Sequence, residues 1–136
     1  MAGKPLLYMA VAAGGALGSV LRYLCSVGAL ALLGAGFPWG TLLVNLAGSL
    51  LIGFYATLTG LDGRLPAGPV AGQFVVAGFC GGFTTFSVFS LESIRLLQAG
   101  AAGLAATYVL ASVALWLLAV SAGHLLARRL NRRPGG

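Results

Sequence analysis

Four stretches of this chain, at about 6–33, 39–59, 70–97 and 101–127, are apolar over a length that crosses a lipid bilayer. One spanning helix takes about 20 mostly apolar residues. Four of them with short connections consume nearly all of the 136 residues. A helix satisfies its own backbone hydrogen bonds in hydrocarbon, where no water can do so. The expected fold is therefore an all-α membrane protein with four transmembrane helices, one four-helix transmembrane domain over residues 1–127 and a basic polar tail at 128–136. Charged residues make up only 7% of the chain, against about 25% in soluble domains. That scarcity excludes a water-soluble fold.

Connections are punctuated by glycine and proline. Gly34-Ala35-Gly36-Phe37-Pro38 reads as a tight turn, and Gly60–Pro69, with Asp62, Arg64 and Pro66, reads as a loop. The apolar run after Lys4 continues to Leu33, far beyond the length of a signal-peptide core, so it reads as a retained first span. The two cysteines, Cys25 and Cys80, lie inside apolar runs and read as inert packing residues. The tail from Arg128 is expected to fray.

The net charge of +6 would point to nucleic acid in a soluble protein. Here Arg128, Arg129, Arg132 and Arg133 follow an apolar run, which reads as a topology signal or a contact with anionic lipid heads. No nucleic-acid partner is expected. With four spans, Lys4, Arg64 and the C-terminal arginines share one side and Arg95 stands on the other. Because Lys and Arg stay on the cytoplasmic side, this count favours one orientation, with both termini inside.

Polar groups at membrane depth are costly unless they face protein or water. Arg22 lies deep in the first span, one turn after Gly18 and two after Gly14. That small-xxx-small spacing lets helices approach closely. It puts Arg22 on a packed face or a vestibule wall, with snorkelling to an interface as the alternative. Thr41, Asn45 and Ser49 form a stripe on span two, and Tyr108 and Ser112 stand four apart on span four. Such groups are either glue between helices or the donor-rich wall of a path for a small anion that accepts hydrogen bonds strongly.

The run Gly81-Gly82-Phe83-Thr84-Thr85-Phe86-Ser87 interrupts span three. Adjacent glycines are expected to break the helix near its middle, leaving carbonyls free to hold a small cation such as Na⁺; a glycine crossing point between helices is the alternative. Phe86 and Phe89 are three apart, so they share a face, as packing or with positive ring edges turned to an anion. Glu92, one turn on, is either near the membrane surface or a buried acid paired with arginine. Trp39 and His124 read as interfacial, and Trp116 carries no assigned role.

Three segments, 14–23 (GGALGSVLRY), 40–49 (GTLLVNLAGS) and 78–87 (GFCGGFTTFS), resemble, in order, the signatures of the Fluc (CrcB) family of fluoride channels. The resemblance is strong over spans one to three and weaker over span four, through Tyr108 and Ser112. It implies a passive fluoride-selective channel of the cytoplasmic (inner) membrane, multi-pass, that exports fluoride and lowers its toxicity. It implies a dual-topology homodimer of antiparallel subunits with two pathways along their interface. By position, Asn45, Thr41, Phe86, Phe89, Tyr108 and Ser112 would line the fluoride pathway, and Arg22 would stand near a vestibule. The backbone carbonyls of Gly81 and Thr84 from both subunits would hold a structural central Na⁺. Val88 departs from the threonine common there. The lopsided basic charge leaves a second copy of itself or an oppositely oriented homologue as the partner.

A small four-helix proton-coupled multidrug exporter is the competing reading. It needs a membrane-buried acid, whereas span one carries Arg22 and Glu92 comes late in span three. A structural subunit without ion flux is a third. No acid, base and nucleophile set converges, so the chain is not expected to be an enzyme.

Overall fold

In a computed structural model, described over residues 3–60 and 63–132, the chain is all helix and turn. Arg133 of the basic tail and Asp62 of the second loop lie outside the described residues. Helix α1 is Lys4–Leu33 and α2 is Trp39–Thr59. The third span has two arms. Its first arm, α3 (69–83), runs continuously through Pro69–Gly72, a π-helical stretch Gln73–Cys80 and a last turn Gly81–Phe83. Its second arm, α4, is Ser87–Gln98, and α5 is Ala102–Asn131. Four segments, with Pro69–Gln98 counted as one, are long and apolar enough to cross a membrane. Each is mostly exposed in the isolated chain, as lipid-facing helices must be.

The helices pair out of sequence: α1 packs mainly on α3, and α2 packs mainly on α5. Glycine sets both crossings. A β-carbon on Gly14 would overlap the Phe74 carbonyl oxygen, and one on Gly18 the Phe79 carbonyl oxygen. From the other side, Gly82 meets the backbone of Gly15, and Gly78 meets Val11 and Gly14. In the second pair, Gly53 lies on the Val120 carbonyl and Gly123 on that of Leu50. Lipid is as apolar as leucine, so such close backbone approach is what holds membrane helices together.

Gly18→Ala is therefore expected to lower stability by about 1–3 kcal/mol or more, the usual cost of overpacking. The readout is a fall in the thermal unfolding midpoint of the detergent-purified protein. Gly28→Ala is the control, because nothing lies within 4 Å of a β-carbon there. An unchanged midpoint for Gly18→Ala would contradict the close crossing.

The glycine pair does not itself break span three. Gly81 has helical φ/ψ of −63°/−36°, and the last turn of α3 continues through Gly82 and Phe83. The chain leaves the helix at Thr84 (φ −85°, ψ 162°), and α4 begins at Ser87. Gly82 instead serves the crossing with α1. The tail also differs from expectation, since α5 continues to Asn131 rather than fraying at Arg128. Its last turn is tied down. Asn131 Nδ2 donates to the Thr57 carbonyl (2.9 Å), the Arg64 N–H donates to Asn131 Oδ1 (2.9 Å), and Arg64 Nη1 donates to the Leu130 carbonyl (3.2 Å).

Candidate functional site

The interruption in span three is held open by one side chain. Asn45 Nδ2 donates to the Thr85 carbonyl (2.8 Å), and the Thr85 N–H donates to Asn45 Oδ1 (2.7 Å). Both residues are buried. An amide matches both polar groups of one peptide residue, so it replaces the bonds a helix would make. In a continuous helix the Thr85 N–H would close on the Gly81 carbonyl, four residues back. Likewise the Val88 N–H, due to the Thr84 carbonyl, goes to Thr85 Oγ1 (3.2 Å). Gly81 and Thr84 thus lose their ordinary backbone donors.

A groove of about 340 Å³ gathers the residues around this break. Asn45, Ser49, Gly81, Thr84, Phe86 and Trp116 are among its lining. Phe86 is 71% exposed, whereas Phe89 is 5% exposed. Their ring centroids lie 5.4 Å apart and their planes are tilted by 49°. Phe89 is fixed from behind by Tyr108 (5.2 Å) and by the Trp116 ring, nearly edge-on at 4.9 Å. With Leu42 these buried rings form the polar stripe's apolar backing.

Thr41 and Tyr108 take a role that residue spacing alone left open. Thr41 Oγ1 donates to Glu92 Oε1 (3.0 Å), and Tyr108 Oη donates to Glu92 Oε2 (2.7 Å). Glu92 is half-buried and is the only acidic side chain among the described residues. It is bound by two hydroxyls rather than paired with an arginine. Thr41, Glu92 and Arg95 line a second cavity with Phe37, Pro38 and Trp39 of the first turn. This mouth opens on the side opposite to Arg64 and the end of α5. Val88, which carries no hydroxyl, also lines it.

Arg22 lies at neither cavity lining. Its Nη1 donates to the Thr84 carbonyl at 3.3 Å, so it reaches the break from the α1 side. Ser112 is fully buried, and its Oγ has no hydrogen-bond partner. Trp116 Nε1, one turn along α5, is also buried without a partner. Nothing in the sequence singled out Trp116, because an indole in an apolar helix usually marks packing. His124 is bonded to Thr57 Oγ1 through Nδ1 (2.8 Å), away from the break.

The structure therefore brings Asn45, Phe86, Gly81 and Thr84 to one membrane-depth groove, with Phe89 buried behind Phe86 and Thr41 and Tyr108 gathered around Glu92 beside it. A groove of this kind offers one spare Asn45 N–H and the exposed Phe86 ring, and it carries no fixed negative charge among its lining residues.

Residues 9–124 match the model of the family described as CrcB-like protein, Camphor Resistance (CrcB). A protein of Bradyrhizobium diazoefficiens named Fluoride-specific ion channel FluC 1 is 54% identical over 93% of this chain and 88% of its own. Proteins named Fluoride-specific ion channel FluC from Opitutus terrae and Rhodospirillum rubrum are 49% and 48% identical, over 95% and 93% of this chain and 98% of each relative. The chain is thus a multi-pass membrane protein that belongs to the CrcB-like family.

Proposed function

We propose that this chain is the subunit of a passive, fluoride-selective channel, and that it performs no catalysis. The observation that carries the reading is the groove at the break in span three, where Asn45 and the exposed Phe86 ring stand together at membrane depth. Fluoride is small and holds its water strongly. To enter a membrane it needs donors already in place, since a hydrogen bond to an ion is about twice as strong as one between neutral groups. Asn45 is fixed by Thr85 and keeps one N–H to give. The ring edges of Phe86 and Phe89 add positive potential without a formal charge that would trap the ion. The relatives' names support the same ion.

The groove is open on the isolated chain and would leave polar groups of Asn45, Ser49 and Thr84 facing lipid. Its cover is a second copy of the chain or an oppositely oriented homologue, which would close a pathway at the interface. Lys4, Arg64, Arg128, Arg129 and Arg132 fall at one end of the helices and Arg95 at the other. This subunit thus takes the orientation with both termini cytoplasmic, in the inner membrane.

The carbonyls of Gly81 and Thr84 suit a structural Na⁺. They are hard oxygens without their helical donors, and the space beside the Gly81 α-carbon is clear to 4 Å. When bound, the ion would supply a fixed charge that pins the two breaks together. The exporter reading would need Glu92 free to exchange a proton for a cation. Two hydroxyls hold it instead.

The test is efflux from liposomes loaded with fluoride or chloride. Fluoride is expected to leave under its own gradient and chloride to stay. Retention of fluoride, or equal passage of chloride, would refute the assignment.

A further inference from the structure

The Thr84 carbonyl has a second claimant. Arg22 Nη1 already donates to it, and among the described residues the guanidinium has no acidic neighbour to neutralise it. Glu92 is engaged by Thr41 and Tyr108, and it is the only acidic side chain among the described residues. An arginine stays charged in proteins. An unneutralised charge at membrane depth therefore rests on the same oxygen to which the cation is assigned above.

We propose that Arg22 is a positioning residue that sets the affinity of the Gly81 and Thr84 carbonyls for a small monovalent cation. A carbonyl oxygen has two lone pairs, so the arginine does not exclude the ion. It does oppose it: two positive charges sharing one oxygen repel strongly in a weakly polarisable surrounding. The arginine also directs one lone pair of Thr84 towards α1, which fixes the direction of the carbonyl left for an ion. Cation binding is thereby weaker than the two carbonyls alone would give. This inference rests on the channel reading and on the cation assignment.

The test measures thermal stability of the purified, full-length protein at increasing NaCl, with ionic strength held constant by N-methyl-D-glucamine chloride. The quantity read is the Na⁺ concentration giving half the stabilisation, not the starting midpoint. Arg22→Gln removes the charge and is expected to lower that concentration about tenfold or more. Arg22→Lys keeps a charge and is expected to stay near the native value. Should Arg22→Gln fail to fold, Ser26→Glu serves instead. It places a carboxylate four residues along the same face of α1, beside the mouth that Ser26 lines, and is expected to lower the concentration too.

A half-stabilising concentration that is unchanged or raised on neutralisation would overturn the proposal. So would the absence of any Na⁺-dependent stabilisation in a protein that still conducts fluoride. Loss of fluoride flux from the native protein would be a failure of the channel reading itself, separately visible in the liposome assay.

Discussion

Asn45→Leu is expected to abolish fluoride efflux and to cost about 2–6 kcal/mol of stability. Leucine shares the branched outline of asparagine but is bulkier, so some overpacking adds to the cost. What is lost is the amide that satisfies both polar groups of Thr85. Each buried backbone group left unpaired costs about 1–3 kcal/mol, and two are orphaned at once. The chain can recover part of this by closing the Thr85 N–H onto the Gly81 carbonyl, which would turn the interruption into continuous helix and erase the groove. Asn45→Asp separates the two effects. Its carboxylate still accepts from the Thr85 N–H, but it cannot donate to the Thr85 carbonyl or to an anion. Its charge also repels fluoride. This variant is expected to fold better than Asn45→Leu in a thermal scan and yet to conduct no fluoride. Normal efflux from either variant would remove Asn45 from the pathway.

Phe86→Ile is expected to slow fluoride efflux about thirtyfold or more while leaving the melting curve of the protein almost in place. Phe86 is mostly exposed in the single chain, so little packing is lost there. Isoleucine occupies similar space but has no quadrupole. A loss of roughly 2–3 kcal/mol at the highest barrier corresponds to about 30–150-fold in rate. Phe89→Ile is expected to differ, because Phe89 is buried between Tyr108 and Trp116. It should lose stability as well as flux. If Phe86→Ile conducted like the native protein, the exposed ring would be only a contact surface.

The span boundaries were readable because hydropathy and glycine-proline punctuation act locally. The second span, 39–59, coincides with the observed helix. The location of the break was only partly readable. Glycine pairs weaken a helix by propensity, but Gly81 and Gly82 stay helical because their neighbours are packed, and the departure at Thr84 is dictated by an amide 40 residues away. Long-range pairing of this sort leaves no local signature. The same holds for Glu92. Its spacing from the phenylalanines placed it one turn beyond them, but not against Thr41 and Tyr108, which come from other helices. Arg22 was legible as an expensive charge, and its acceptor was not. The end of α5 stayed helical where polarity alone implied fraying, because Asn131 bonds Thr57 and Arg64.

The alternating partnership of the helices has a consequence for how the protein is made. Helices leave the ribosome in order, yet α1 finds its glycine-matched surface only on the third span, and α2 finds its own only on the fourth. A nascent chain with two helices inserted therefore has neither of its principal crossings. Most of the stabilising contact forms only once the third and fourth segments have left the translocon. Until then the early helices wait in the bilayer, within reach of quality-control proteases and of other nascent subunits.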